Sequence, residues 1–288
     1  MASGQAATAQ AGHGHQAGRS YAVREQRGLE MLSWPVFGGQ AVDALVTTTR
    51  GGVSAGPYAS LNLGLHVGDE PAAVLENRRR VAAALGTGLD HFVFAQQTHG
   101  RRARVVSAGD RGRGTLRLDD AIGDTDALVT ADPGTVLAVL VADCVPLVLF
   151  DPAAHVLACV HAGWRGTVAR VAEAAVAAMR SLGARPENML AGLGPAIGPD
   201  DYQVGDEVAA AANGCFGGGA AGIVRPDGPG RWLLDLWAAN RRILAEAGVP
   251  EGQIQVAAVS TGDASGLFFS DRRARPCGRF ATIARLRD

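Results

Sequence analysis

The chain has 288 residues, 47% of them hydrophobic, and a formal net charge of −1. That length and apolar content support one large core or two small ones. Near-neutrality excludes a general electrostatic surface for nucleic acid or membranes, and no apolar run approaches the length of a membrane span.

Taken in chain order, Met1–Ser20 is rich in Ala, Gly and Gln and lacks the apolar core of a signal peptide. A disordered tail over residues 1–20 is predicted, in which His13 and His15 would bind metal only weakly. Val42–Thr47 reads as a strand, broken by Gly51-Gly52. Pro71–Leu85 reads as a helix capped by Asp69, with Pro71 in its first turn and Gly86 at its stop. Arg78-Arg79-Arg80 within it reads as a solvated charged face. Phe92–Ala95, Ala103–Val106 and Asp126–Thr130 are short strands. Val136–Ala142, Val145–Phe150 and Val156–Val160 are apolar and β-branched, as in a sheet covered on both faces. Gly166–Leu182 is an Ala-rich helix stopped by Gly183. Further helices are expected over Tyr202–Ala212 and Leu234–Ala247, with a flexible glycine-rich loop at Cys215–Ala221 between them. Ile254–Val259 and Phe280–Leu286 are the last strands. This irregular alternation points to α/β or α+β layers rather than a barrel. The pentapeptide Asp-Ala-Leu-Val-Thr occurs at Asp43 and again at Asp126, which would suit two related sheets. The four cysteines, Cys144, Cys159, Cys215 and Cys277, are dispersed in a chain too large to need disulfide staples, so a reduced, cytoplasmic compartment is expected.

Three residues with ligand chemistry stand at the edges of strand-like runs. Gln97-Thr98-His99-Gly100 follows Phe92–Ala95, Asp143-Cys144 closes Val136–Ala142, and His161 follows Val156–Val160. Side chains at one edge of a sheet share a crevice where ligands sit in open α/β folds. His99, Cys144 and His161 meeting there would make a three-ligand zinc site with an open fourth position. The bland alternative is a buried free cysteine with two hydrogen-bonded histidines near it. Zinc fits better than copper electron transfer, which usually adds an axial Met; Met1, Met31, Met179 and Met189 are all remote from these words. Copper is still expected to bind in vitro, because it outcompetes zinc at most nitrogen and sulfur sites. Asp143 is a candidate proton shuttle, or else a carboxylate that caps a turn. Arg165, at the start of the Gly166–Leu182 helix, would form an anion cradle with the backbone N–H groups, or else a structural ion pair. Trp164 reads as a packing residue. Arg50-Gly51-Gly52 is a second possible anion loop, and Asn62 is a further hydrogen-bonding candidate.

These words resemble the YfiH-like family, also called the laccase-domain or multicopper polyphenol oxidoreductase family. The resemblance runs from about Val42 to Leu286 through Thr48-Thr49-Arg50-Gly51-Gly52-Val53-Ser54, Ser60-Leu61-Asn62-Leu63-Gly64, Asn77-Arg78 and Gln97-Thr98-His99-Gly100. It continues through Ala142-Asp143-Cys144-Val145-Pro146, His161-Ala162-Gly163-Trp164-Arg165-Gly166, Gly194-Pro195-Ala196-Ile197-Gly198 and Phe268-Phe269-Ser270. It implies a single αββα layered domain with mixed sheets over residues 21–288, and metal ligation by His99, Cys144 and His161. It further implies a zinc enzyme that phosphorolyses adenosine, inosine and methylthioadenosine, and deaminates adenosine; purine nucleosides and phosphate are then its partners. It also strengthens Arg50 and Asn62 as substrate contacts. Gln203 stands where the family usually has Glu, Ser260 where Cys is common, and Asp271 where Tyr is frequent, departures that bear on substrate rather than metal. Three other readings stay open: a laccase-like copper oxidase, a cysteine hydrolase editing cell-wall precursors with Cys144 as nucleophile and His99 or His161 as base, and a nucleoside-binding module without turnover.

Overall fold

The structure is a computed structural model that describes residues 20–217 and 220–288. The expected tail, with His13 and His15, lies outside the described residues except for Ser20, as do Gly218 and Gly219 of the expected loop.

In chain order the elements are β1 (Ala22–Gln26), β2 (Leu29–Ser33), β3 (Val42–Thr47), α1 (Pro71–Ala84), β4 (Phe92–Phe94), β5 (Ala103–Val105), β6 (Ala127–Thr130), β7 (Val136–Val141), β8 (Val145–Asp151) and β9 (Val156–Ala162). There follow α2 (Trp164–Val168), α3 (Val171–Ser181), β10 (Leu190–Leu193), β11 (Gln203–Val204), α4 (Asp206–Phe216), β12 (Val224–Pro226), β13 (Trp232–Leu234), α5 (Leu236–Glu246), β14 (Ile254–Val256) and β15 (Phe280–Leu286). One mixed sheet runs β1-β2-β3-β15-β7-β4, a second β14-β10-β8-β9-β6-β5, and a small third sheet β11-β13-β12. The two large sheets are mostly antiparallel, with parallel pairing of β4 to β7, β5 to β6 and β10 to β14.

Side-chain alternation sets the layers. Leu137, Val139 and Val141 of β7 meet Val148, Phe150, Leu157 and Cys159 of the second sheet, making the inter-sheet core. Val136, Ala138 and Leu140 point the other way, toward Leu61, Val81 and Leu85 under α1. On the far side, Ala158 and Val160 pack beneath Val176, Met179, Ala209 and Ile243 of α3, α4 and α5. The layers are therefore αββα, as expected. Each fully buried Val, Leu or Phe contributes roughly 1.5–3 kcal/mol.

The strands over Val42–Thr47 and Phe280–Leu286 form with the bounds expected. Several elements differ. The Gly166–Leu182 helix is two: the chain turns at Arg170, whose φ of 63° breaks the helix, while its guanidinium pairs with Glu173 and Glu246. The second helix starts later, at Asp206, because Gln203–Val204 pairs with β13; it then runs through Cys215 into the expected loop. The last internal strand ends at Val256, and Ala258 turns at φ 53°. Glu70, not Asp69, precedes α1, and Asp69 instead accepts from Glu70 N and Asn62 Nδ2. The β1–β2 hairpin, closed by Arg27-Gly28 with both φ positive, carries no strong sequence signal. The repeated pentapeptide places one copy in each large sheet, and both aspartates face a base on the antiparallel neighbour. Asp43 pairs with Arg285 at 2.8 Å and Asp126 with His161 at 2.8 Å. Among the described residues, no helix is long and apolar enough to cross a membrane.

Candidate metal centre and its cavity

Two of the three expected ligands lie where the chain crosses between sheets. His99 falls between β4 of the first sheet and β5 of the second, and Ala142-Asp143-Cys144 joins β7 to β8 in the same sense. His161, next to last in β9, has the parity of Leu157 and Cys159, the side of the inter-sheet core. The ligand atoms of His99, Cys144 and His161 lie within 4.8 Å of one another, and the imidazole centroids are 4.8 Å apart at 79°. Reaching this arrangement takes left-handed backbone at His99 (φ 61°) and Asp143 (φ 84°), conformations non-glycine residues adopt at a cost and which cluster at functional sites. It also takes a glycine at 163, where a Cβ would come 2.9 Å from Cys144 Sγ and 3.0 Å from His99 Cδ2.

Asp126 holds these pieces together. Its Oδ1 accepts from His161 Nδ1 at 2.8 Å and His99 N at 3.0 Å, and its Oδ2 accepts from Gly100 N at 2.7 Å. Burial opposes its charge, but His161 and the N–H groups of Gly100 and Thr98 prevail and hold its carboxyl at about 2. With Nδ1 donating to Asp126, His161 turns Nε2 toward the cluster, the tautomer that a ligated histidine needs. Burial likewise opposes ionisation of Cys144, yet His161 and His99 outweigh it and bring the thiol down to about 6. His161 shows the reverse: burial disfavours its charge, while Cys144 and Asp126 raise it to about 9. Without metal the cluster is thus a thiolate beside an imidazolium. Two imidazoles and an ionised thiol, with one imidazole oriented by a buried carboxylate, fit zinc in both donor chemistry and number.

The cluster lines a cavity of about 580 Å³, inside the roughly 300–1,000 Å³ usual for small-molecule sites. Its walls carry Arg78, Arg165, Arg272, Arg275 and Arg279 against only Asp143 and Asp271, so its field favours an anion. Of the expected residues, Asp143 and Arg165 join the triad here. Asp143 accepts from Thr261 Oγ1 at 2.6 Å and Arg272 N at 2.7 Å. Among the described residues Arg165 forms no ion pair; it stacks on Trp164, 4.4 Å from the ring, so Trp164 lines the cavity rather than only filling core. The anion cradle expected at the start of a long helix is not formed as such, because α2 has five residues.

Two expected substrate contacts stand apart from the cavity. Arg50 is exposed and paired with Glu30 at 2.9 Å. Asn62 is fully buried, and its amide is spent on Gly64, Asp69 and Arg279 N, leaving nothing for a ribose. It reaches the cavity only by fixing Arg279. The solvated face expected at Arg78-Arg79-Arg80 holds for the last two, which pair with Glu76; Arg78 itself is only 2% exposed. Its spacing from Val74, Val81 and Leu85 puts it on the apolar stripe, a signal that was present in the sequence. Asp126, His66 and Tyr202 were also missed. Only Asp126 carried a cue, as the first residue of a repeat.

The arrangement has known counterparts. A family model described as multi-copper polyphenol oxidoreductase laccase matches residues 43–287. "Purine nucleoside phosphorylase YlmD" of Geobacillus stearothermophilus is 39% identical over 253 residues, 88% of this chain and 92% of that protein. "Adenosine deaminase RL5", from an unknown prokaryotic organism, is 40% identical over 228 residues, 79% of this chain and 87% of that protein. The crystal structure of YlmD from Geobacillus stearothermophilus superposes with a TM-score of 0.89 at 37% identity, over 94% of this chain and 100% of that one.

Proposed function

Because the chain belongs to the multi-copper polyphenol oxidoreductase laccase family, we propose that it is a zinc-dependent purine nucleoside phosphorylase. Its substrates in this reading are adenosine, inosine and methylthioadenosine, with deamination of adenosine as a side activity. The observation that carries the reading is the convergence of His99, Cys144 and His161 on a cavity rich in arginine. The names of the relatives supply the substrate class. Zinc is favoured over copper by the ligand inventory. Among the described residues this is the one group of its kind, and Met31, Met179 and Met189 are buried in the outer layers, away from the cavity. A bound zinc supplies Lewis-acid polarisation of an oxygen presented at its open position.

The remaining work falls to the chain itself. His99, Cys144 and His161 hold the ion, and Asp126 fixes the ring of His161. The arginines of the cavity, Arg165 among them, hold phosphate against the sugar and offset its charge. The Asp143 carboxylate, steadied by Thr261 and Arg272 N, keeps lone pairs free to hold a proton at Oδ1 or Oδ2 for the departing base. We read residues 21–288 as one catalytic domain, since β3 and β15, near the two ends of the chain, pair side by side in one sheet. Four free cysteines, one of them required as thiolate, support a reducing, cytoplasmic setting for that domain.

The test is a nucleoside panel with and without phosphate, in which zinc-loaded protein should release free base and a sugar 1-phosphate. Equal product from Cys144→Ala protein prepared in parallel, or no consumption of any of the three nucleosides, would contradict the reading. One observation favours a second reading: a thiol near 6 beside His161 is also the make-up of a cysteine hydrolase. Activity that survives chelation and is lost to iodoacetamide would establish that alternative.

A further inference from the structure

Among the described residues Arg78 is a buried guanidinium with no carboxylate partner. It is 2% exposed, its Nε donates to Leu63 O at 2.9 Å, and its Nη1 donates to Gly114 O and Thr115 O at 2.7 Å each. Phe94 lies flat beneath the guanidinium, 4.1 Å from Cζ. Nη2 is buried with no partner among the described residues. Burial alone lowers the pKa of the group, to about 9, and no carboxylate acts on it. A buried charge costs free energy unless paired, and a guanidinium presents donors in a planar fork suited to phosphate.

The surroundings extend the same chemistry. Leu63, which receives Arg78 Nε through its carbonyl, donates its own N–H to Arg279 O at 2.9 Å. The Arg279 side chain and the His66 ring both run against Gly64, where a Cβ would lie 2.9 Å from Arg279 Cγ and 3.4 Å from His66 Cε1. The Asn62–Gly64 segment thus gathers Arg78, Arg279 and His66 on one wall of the cavity. Burial lowers the pKa of His66, with Arg279, Arg78 and His161 adding to the effect. The one carboxylate on this wall, Asp271, is held by both Arg275 and Arg279.

We infer that Arg78 Nη2, with Arg279 and His66, forms the seat of a tetrahedral oxyanion, the inorganic phosphate that attacks the nucleoside. This rests on the phosphorylase reading for the identity of the anion, not for its place. In it, exposed Arg165 is an auxiliary contact and Arg78 the anchor.

The test is calorimetric titration of the zinc-loaded protein with inorganic phosphate, at constant ionic strength, for wild type, Arg78→Lys and Arg78→Met. A second titration uses adenosine 5′-monophosphate, which carries its phosphate on the nucleoside. Phosphate Kd should rise about ten- to a hundredfold in both variants, as expected when a charge-assisted hydrogen bond is lost from a buried site. The monophosphate should gain no affinity over adenosine. An unchanged phosphate Kd in a folded Arg78 variant overturns the assignment, and so does an Arg78-dependent gain for the monophosphate alone. If neither variant folds, Arg279→Met and His66→Asn are read instead: weakened phosphate supports the seat, and wild-type binding in both overturns it. Arg78-dependent phosphate binding without nucleoside turnover would leave the seat standing and remove the phosphorylase reading. Phosphorolysis with Arg78-independent phosphate binding would do the reverse.

Discussion

Much of the chemistry at the cluster is set by one buried carboxylate. Asp126 accepts from His161 and from three consecutive backbone N–H groups, those of Thr98, His99 and Gly100. Asp126→Asn loses the charge and turns an amide donor toward one of those N–H groups. Loss of such an outer partner typically weakens a metal site about 10- to 100-fold, so zinc Kd measured against a chromophoric chelator should rise by that order. Proton stoichiometry follows from the same pair. The Cys144 thiol, held at about 6, is ionised at neutral pH, whereas His161, raised to about 9, is still protonated. Zinc must expel that proton, so binding at pH 7.5 should release about one proton, and more as pH falls through about 6 and the Cys144 thiol takes up its own. Calorimetry in buffers of different ionisation enthalpy reads this number directly; no proton release at pH 7.5 would contradict the charge assignment. The sign for stability is also fixed. The lowered Cys144 and Asp126 values contribute stability that is lost as pH falls through about 6 and then about 2, and the raised His161 value contributes stability that is lost as pH rises through about 9.

Long apolar runs were legible as elements and short or glycine-bearing ones were not. β7, β8 and β9 were readable because every residue in them is buried, which leaves a continuous β-branched pattern. β10 escaped because Leu190-Ala191-Gly192-Leu193 is four residues long with a glycine inside. That glycine has a packing reason: a Cβ at Gly192 would meet Trp34 at 2.7 Å and Phe37 at 2.8 Å, and Trp34 Nε1 donates to Leu193 O at 3.0 Å. The missing side chain lets the Trp34 ring lie against the strand. Gly192→Ala should therefore cost about 1–3 kcal/mol by overpacking, read as a lower denaturation midpoint, with zinc content unchanged. The break between α2 and α3 was hidden for another reason. Arg170 sits in an Ala-rich helical pattern, and only its tertiary pairing with Glu246 reveals why the chain turns there.

At the scale of the whole molecule, the αββα stack makes the site as a by-product of its topology. Chain crossings between the sheets deliver His99 and Cys144 to one end of the inter-sheet core, and β9 brings His161 to the same end. The three were legible because each terminates an apolar run and has distinctive ligand chemistry. Asp126, Arg78 and His66 were less so, because a lone acid or base in a strand, helix or loop looks the same whether it faces water or a cavity. Arg50 and Asn62 show the converse: glycine-rich and polar words that suit a ligand are tied into loop structure here. In the proposed reading His99, Cys144 and His161 are the ligands of one catalytic zinc. Metal analysis of the natively purified protein, beside Cys144→Ala and Cys215→Ala prepared in parallel, tests it most directly. About one zinc per chain is predicted in the wild type and in Cys215→Ala, and almost none in Cys144→Ala. Stoichiometric zinc retained by folded Cys144→Ala would contradict it.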